Sequence, residues 1–188
     1  MKTFEEKKFT IPKLKGISEK SIEEHLKLYA GYVKNANLIQ SMIEMYGKVD
    51  AEDGKYSVME INRRFSFEFG GMRNHEIYFS SLEGGSTPLS PESPLAQVDW
   101  ARFKTMATTR GVGWAMLGYD KNTQSLIQYW VDEQHLGHLP EVSIVLALDM
   151  WEHSFVADYQ PSGKKQYIED FFANVNWSKI EENFTKAQ

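Results

Sequence analysis

The chain has 188 residues, 41% of them apolar and 13% aromatic, which supports a sizeable core and excludes wholesale disorder. It has no cysteine, which excludes disulfides, thiolate metal sites, iron–sulfur clusters and a cysteine nucleophile. Any metal must then use Asp, Glu, water or the five histidines: His25, His75, His135, His138 and His153. A net charge of −5 with no basic tract argues against nucleic acid as a partner. No run of 18 apolar residues exists to span a membrane, and the start Met1–Lys8 lacks the apolar stretch of a secretory signal. The expected compartment is the cytoplasm.

In chain order, Ser18 or Ser21 can cap a helix over 18–47, with Glu23 and Glu24 favourable in its first turn. Its apolar stripe is Ile22, His25, Tyr29, Tyr32, Ala36, Ile39, Ile43 and Tyr46. A polar turn follows over 47–54, then a second helix over much of 57–82 with the stripe Ile61, Phe65, Glu68, Met72, His75, Phe79, Leu82. Gly70-Gly71 inside it costs about 1 kcal/mol per Gly and points to a close approach or a break. Residues 83–94, rich in Gly, Pro and Ser, read as a linker. A helix is expected over 94–109, strands over 112–119 and 125–131 joined at Asp120-Lys121-Asn122, and a buried strand over 143–148. Helix resumes after Asp149 and again over 165–173. The layout is α+β, with a helical hairpin domain over 1–84 and an α/β domain over 94–188.

If the two long helices form an antiparallel hairpin about residue 50, His25 and His75 face each other at one height. Two buried imidazoles need partners. A shared metal is one solution, and a carbonyl or tyrosine for each is the other. If helix begins near Asp149, then Asp149 and His153 share a face at i, i+4, as a metal chelate or an ordinary hydrogen bond. Together the four give three imidazoles and a carboxylate, a set suited to iron or manganese, with zinc chemically possible. Tyr29, Tyr32, Phe79, Trp114 and Trp151 would supply a dry shell. His135 and His138 read as a solvated loop pair rather than a second site.

These residues resemble the iron/manganese superoxide dismutases. The resemblance is carried by Asp149-Met150-Trp151-Glu152-His153, Asp158-Tyr159, Tyr167–Phe172 and Val175-Asn176-Trp177. Gly111-Val112-Gly113-Trp114, Asn74-His75 with Tyr78-Phe79, and Ile22–His25 with Tyr32-Val33 and Asn35 extend it to nearly the whole chain. It implies a helical hairpin followed by an α/β domain with a three-stranded antiparallel sheet, and a metal site between them. It implies one manganese or iron ion per subunit, held by His25, His75, Asp149 and His153, that turns superoxide into dioxygen and hydrogen peroxide. In iron-type members a glutamine or histidine on the second helix, four residues before the ligand histidine, bonds the metal's solvent. Gly71 stands there, as in manganese-type members, whose glutamine comes from the sheet side. Counting back from Asp149 gives Gln134, or His135 if the register slips by one, and Gly70-Gly71 would leave room for that side chain. Manganese is therefore favoured.

The same resemblance makes Tyr32 the gateway residue, with Tyr29 a second candidate. Tyr29 and Val156 stand where the family has a histidine and a tyrosine that bond across a dimer interface. Glu152, which the family uses to reach the partner subunit, is kept, so a homodimer or dimer of dimers is expected. The arginine that the family places after Tyr159 to attract the anion is missing, with Lys164 or Lys165 as substitutes. The competing reading is a dismutase-like structural or interaction protein with weak or no catalysis.

Overall fold

The computed structural model describes residues 2–46 and 55–188. Helices α1 (Glu19–Tyr46) and α2 (Lys55–Ser80) pack against each other, and the turn expected over 47–54 lies outside the described residues. Ser18 is the cap of α1, its Oγ accepting from Ser21 N at 3.1 Å. The buried face of α1 carries Ile22, His25, Tyr29, Val33, Ala36 and Ile39, close to the expected stripe. Tyr32 is only half-buried, because the stripe drifts to Val33 as 3.6-residue periodicity requires. On α2 the buried residues begin at Glu68, so the second half of the helix is the part held in the core. An N-terminal arm lies on the helices. Asn37 exchanges two hydrogen bonds with the Phe4 backbone, at 2.8 and 2.9 Å, and Asn174 does the same with Lys15, at 2.9 and 2.8 Å.

Beyond the hairpin come α3 (Trp100–Ala107), β1 (Gly113–Asp120), β2 (Ser125–Asp132), β3 (Val142–Asp149), α4 (Val156–Tyr159), α5 (Lys164–Asn174) and α6 (Trp177–Ala187). The sheet is antiparallel in the order β2-β1-β3. Central β1 is buried on both faces over Gly113–Tyr119, and β3 packs on α2 and α6. The register sets Trp114 opposite Asp149 at the end of the sheet nearest the hairpin. The architecture is the expected α+β arrangement.

Four local expectations need correction. The helix expected over 94–109 is a 3₁₀ turn, Pro94–Gln97, followed by α3. Val98 and Asp99 break it, and Asp99 Oδ1 caps α3 by accepting from Arg102 N at 2.9 Å. The linker over 83–94 is tied down: Thr87 N donates to Val175 O at 3.2 Å and Gly84 N to Thr10 O at 3.0 Å. Asp149 ends β3 rather than starting a helix, and only a 3₁₀ turn, Glu152–Ser154, and short α4 follow. Finally, α6 is an element the sequence reading omitted, although Trp177, Ile180, Phe184 and Ala187 recur at helical spacing after the cap residue Asn176.

Candidate metal centre

Three imidazoles converge on one carboxylate oxygen. His25 Nε2 lies 3.0 Å from Asp149 Oδ2, His153 Nε2 3.2 Å and His75 Nε2 3.4 Å. One donor atom from each of the four residues lies within 4.8 Å of the others. The facing of His25 and His75 follows from the antiparallel hairpin, which sets their rings 4.9 Å apart and nearly perpendicular. Asp149 and His153 meet for a different reason from the one expected. The strand end turns sharply, Asp149 Oδ1 accepting from Trp151 N at 2.8 Å and Asp149 O from Ser154 Oγ at 3.0 Å. That turn, not a helix face, brings His153 back to the carboxylate.

The tautomer of His75 is decided by its neighbour. Its Nδ1 is 2.6 Å from Gly71 O, and a carbonyl only accepts, so Nδ1 carries the proton. Nε2 therefore presents a lone pair, is buried and has no hydrogen-bond partner. It faces Asp149 Oδ2, itself an acceptor, inside the core. Lone pair against lone pair in a dry site is costly unless a cation lies between them. Burial pushes the pKa of His75 down to about 3, and that of His25 down as well, so both are neutral donors at pH 7. Burial raises the Asp149 carboxyl, but His153 and His25 outweigh it and hold the group below the usual range. Neutral imidazoles and an ionised carboxylate are the states a metal requires, so the residues fit a mononuclear iron or manganese ion.

Rings enclose the donors: Phe79 4.9 Å from His25, Trp114 and Tyr32 each 5.0 Å from His75, and Trp151 5.7 Å from His153. Two further rings were not anticipated, Tyr78 at 5.0 Å from His25, and Phe67, which meets both Tyr32 and Trp151. The spacing Phe67, Gly71, His75 places Phe67 on the His75 stripe and could have shown it.

Gln134 is fully buried and tied on both sides. Trp114 Nε1, which can only donate, gives to Gln134 Oε1 at 3.0 Å, so Gln134 Nε2 must be the atom that donates to Tyr32 OH at 3.0 Å. The Tyr32 oxygen thus accepts, and this bond does not use its own proton. Burial, and then the charges of Asp149 and Glu68, raise the Tyr32 pKa, so the hydroxyl is intact at pH 7. Asp132 and Leu136 close the loop with reciprocal backbone bonds of 2.8 and 3.1 Å, which turns Gln134 inward. His135 instead packs beside Phe67 at 5.7 Å. Neither His135 nor His138 joins a group of three or more donors among the described residues.

The glycine pair makes room in a way that differs from expectation. A Cβ on Gly71 would stand 2.5 Å from Tyr32 Cδ1, and one on Gly70 would strike the Gln134 carbonyl. Gly71 therefore seats the tyrosine, and Gly70 seats the glutamine's backbone rather than its side chain. Tyr29 does not reach the centre with its hydroxyl, which accepts from Lys7 N at 2.9 Å and donates to Glu76 Oε1 at 3.3 Å. Lys164 is committed elsewhere, its Nζ donating to Thr109 O at 2.6 Å, while Lys165 and Glu152 are exposed.

The profile of the C-terminal domain of iron/manganese superoxide dismutases matches residues 97–183. The superoxide dismutase [Mn] of Nocardia asteroides is 31% identical, over 87% of this chain and 82% of its own. The superoxide dismutase [Fe] of Aquifex pyrophilus is 30% identical, over 93% and 87%. The superoxide dismutase [Mn/Fe] of Aeropyrum pernix is 27% identical, over 87% and 80%. A donor set that fits iron or manganese, on a hairpin and three-stranded sheet, thus coincides with likeness to such enzymes over 87% and 93% of the chain, and the chain belongs to the iron/manganese superoxide dismutase family.

Proposed function

We propose that this oxidoreductase disproportionates superoxide at one manganese ion held by His25, His75, Asp149 and His153, with iron as the alternative. The observation that carries the reading is the unpartnered, unprotonated Nε2 of His75 set against Asp149 Oδ2 in the core. When bound, the metal supplies a one-electron couple: one superoxide gives up an electron and leaves as dioxygen, and a second takes it up with two protons as hydrogen peroxide. His75 is aimed by its own helix through Gly71 O, and His153 by the turn after β3. Trp114 fixes Gln134, Gln134 fixes the Tyr32 oxygen, and Tyr32 keeps a proton to give at the open side of the site. The aromatic shell excludes water, which strengthens every charge interaction inside.

Gly71 on α2 together with buried Gln134 on the sheet side supports manganese, since a glutamine from α2 is the iron-type arrangement. Relatives of comparable identity carry either metal in their names, so this preference rests on those two positions alone. Assembly as a homodimer with exposed Glu152 at the contact belongs to the same proposal; sedimentation reads the dimer, and its loss in Glu152→Ala reads the contact.

The test is metal content and superoxide consumption after reconstitution with manganese or iron, for the native chain and His75→Ala. One metal per chain, activity highest with manganese, and loss of both in His75→Ala is the expected result. A native chain that takes up neither metal and consumes no superoxide would leave the dismutase-like interaction protein as the reading.

A further inference from the structure

The centre opens to solvent on one side. His25, His75 and Asp149 are closed off, while His153 keeps 22% of its side-chain surface exposed. Half-buried rings rim that side: Trp151 stacks on His153 at 5.7 Å, and Phe67 meets Trp151 at 6.4 Å and Tyr32 at 6.1 Å. A small solute reaching the donors passes this rim. Superoxide is an anion and the chain carries −5, so the field of the whole protein opposes its entry.

Among the described residues one cation lies on a ring of this rim. The Arg64 guanidinium sits 3.9 Å from the centroid of Phe67. Glu68 Oε1 accepts a hydrogen bond from Arg64 Nε at 2.9 Å and lies 2.8 Å from Nη2 as an ion pair. The pair is polarised: the Glu68 side chain is 6% exposed and that of Arg64 is 49% exposed. The negative end is packed inward and the positive end faces the water from which the anion arrives. Arg64, Glu68, Gly71 and His75 follow one another at helical spacing, so the charge shares the stripe that carries a donor. On α5, Lys164 is turned away to the Thr109 carbonyl, its Nζ donating to O at 2.6 Å.

We propose that Arg64, seated on Phe67 and only partly offset by the buried Glu68 carboxylate, is the residue that steers superoxide to the rim of the centre. The proposal rests on the dismutase reading. It uses a fixed charge and involves no proton transfer at Arg64. Neutralising Glu68 should strengthen the effect, whereas neutralising Arg64 should abolish it.

The test uses the metal-loaded protein and its Arg64→Gln, Arg64→Lys and Glu68→Gln variants. Two quantities are read across ionic strength: kcat/KM for superoxide, and the Kd of azide followed by visible absorption. Arg64→Gln should lower kcat/KM by roughly two- to five-fold at low salt, weaken azide in proportion, flatten the salt dependence and leave kcat unchanged. Arg64→Lys should retain most of both, and Glu68→Gln should move both in the opposite direction. Unchanged kcat/KM and salt slope in Arg64→Gln, or a Glu68→Gln variant that falls together with it, would overturn the proposal. A fully loaded native protein without dismutase activity would overturn the underlying reading instead, and the azide titration would still report on Arg64.

Discussion

At Gly71 the methyl of an alanine would stand 2.5 Å from the ring of Tyr32. Crowding of this kind costs about 1–3 kcal/mol, while alanine regains about 1 kcal/mol of helix propensity. Gly71→Ala should therefore lower the thermal midpoint only modestly, but displace Tyr32 from Gln134 and cut activity per bound metal several-fold. Gln134→Ala should lower activity about 10- to 100-fold, the usual range for residues that support a metal centre. His135→Ala should stay within about three-fold on the same scale, because its ring lies against Phe67. A larger loss from His135→Ala than from Gln134→Ala in steady-state assays would reverse these roles. Sequence spacing left that choice open, since counting back from Asp149 does not detect the loop closure between Asp132 and Leu136. His25 and His75 were legible because polar rings on an apolar stripe stand out, while Asp149 and His153 were paired by their spacing on a helix that the strand-end turn replaces. The tautomer of His75 was not legible, because it depends on where one carbonyl points.

Among the elements, periodicity exposed what is long and one-sided: both hairpin helices, the three strands and α5. It failed where local hydrogen bonds overrule the pattern. Asp99 interrupts an apparent helix, and the strand-end turn at Asp149 replaces another. The stretch after the hairpin looked like a free linker by composition, yet Asn176 fastens it. Its Oδ1 accepts from Thr87 Oγ1 at 3.0 Å and Lys179 N at 3.4 Å, its Nδ2 donates to Glu83 O at 2.7 Å, and its N donates to Ser81 O at 2.7 Å. Asn176→Ala removes the cap of α6 and the bonds to Thr87 and Glu83. The expected cost is about 1–3 kcal/mol, read as a lower urea midpoint with the slope unchanged.

For the whole molecule the buried imidazoles set the response to acid. In the unfolded chain a histidine takes its proton near pH 6.5, whereas burial delays His75 in the folded state to about pH 3. Between those values the unfolded chain binds more protons, so stability rises with pH. This contribution is complete above about pH 6.5 and is lost as pH falls toward 3. Asp149, held below the carboxylate range, adds a loss of the same sign at still lower pH. Metal-free protein should thus show a steadily falling urea midpoint from pH 7 to 4, and metal-loaded protein should hold its midpoint to lower pH. A flat profile for the metal-free form would contradict the neutral histidines. The donors are also ordered along the chain, with His25 and His75 in the hairpin and Asp149 and His153 far downstream. During synthesis the hairpin emerges first, carrying His25 and His75, and the Asp149 carboxylate that joins them arrives only when β3 closes the sheet. On the dismutase reading, metal uptake therefore has to wait until β3 has closed the sheet, when the four donors first stand together.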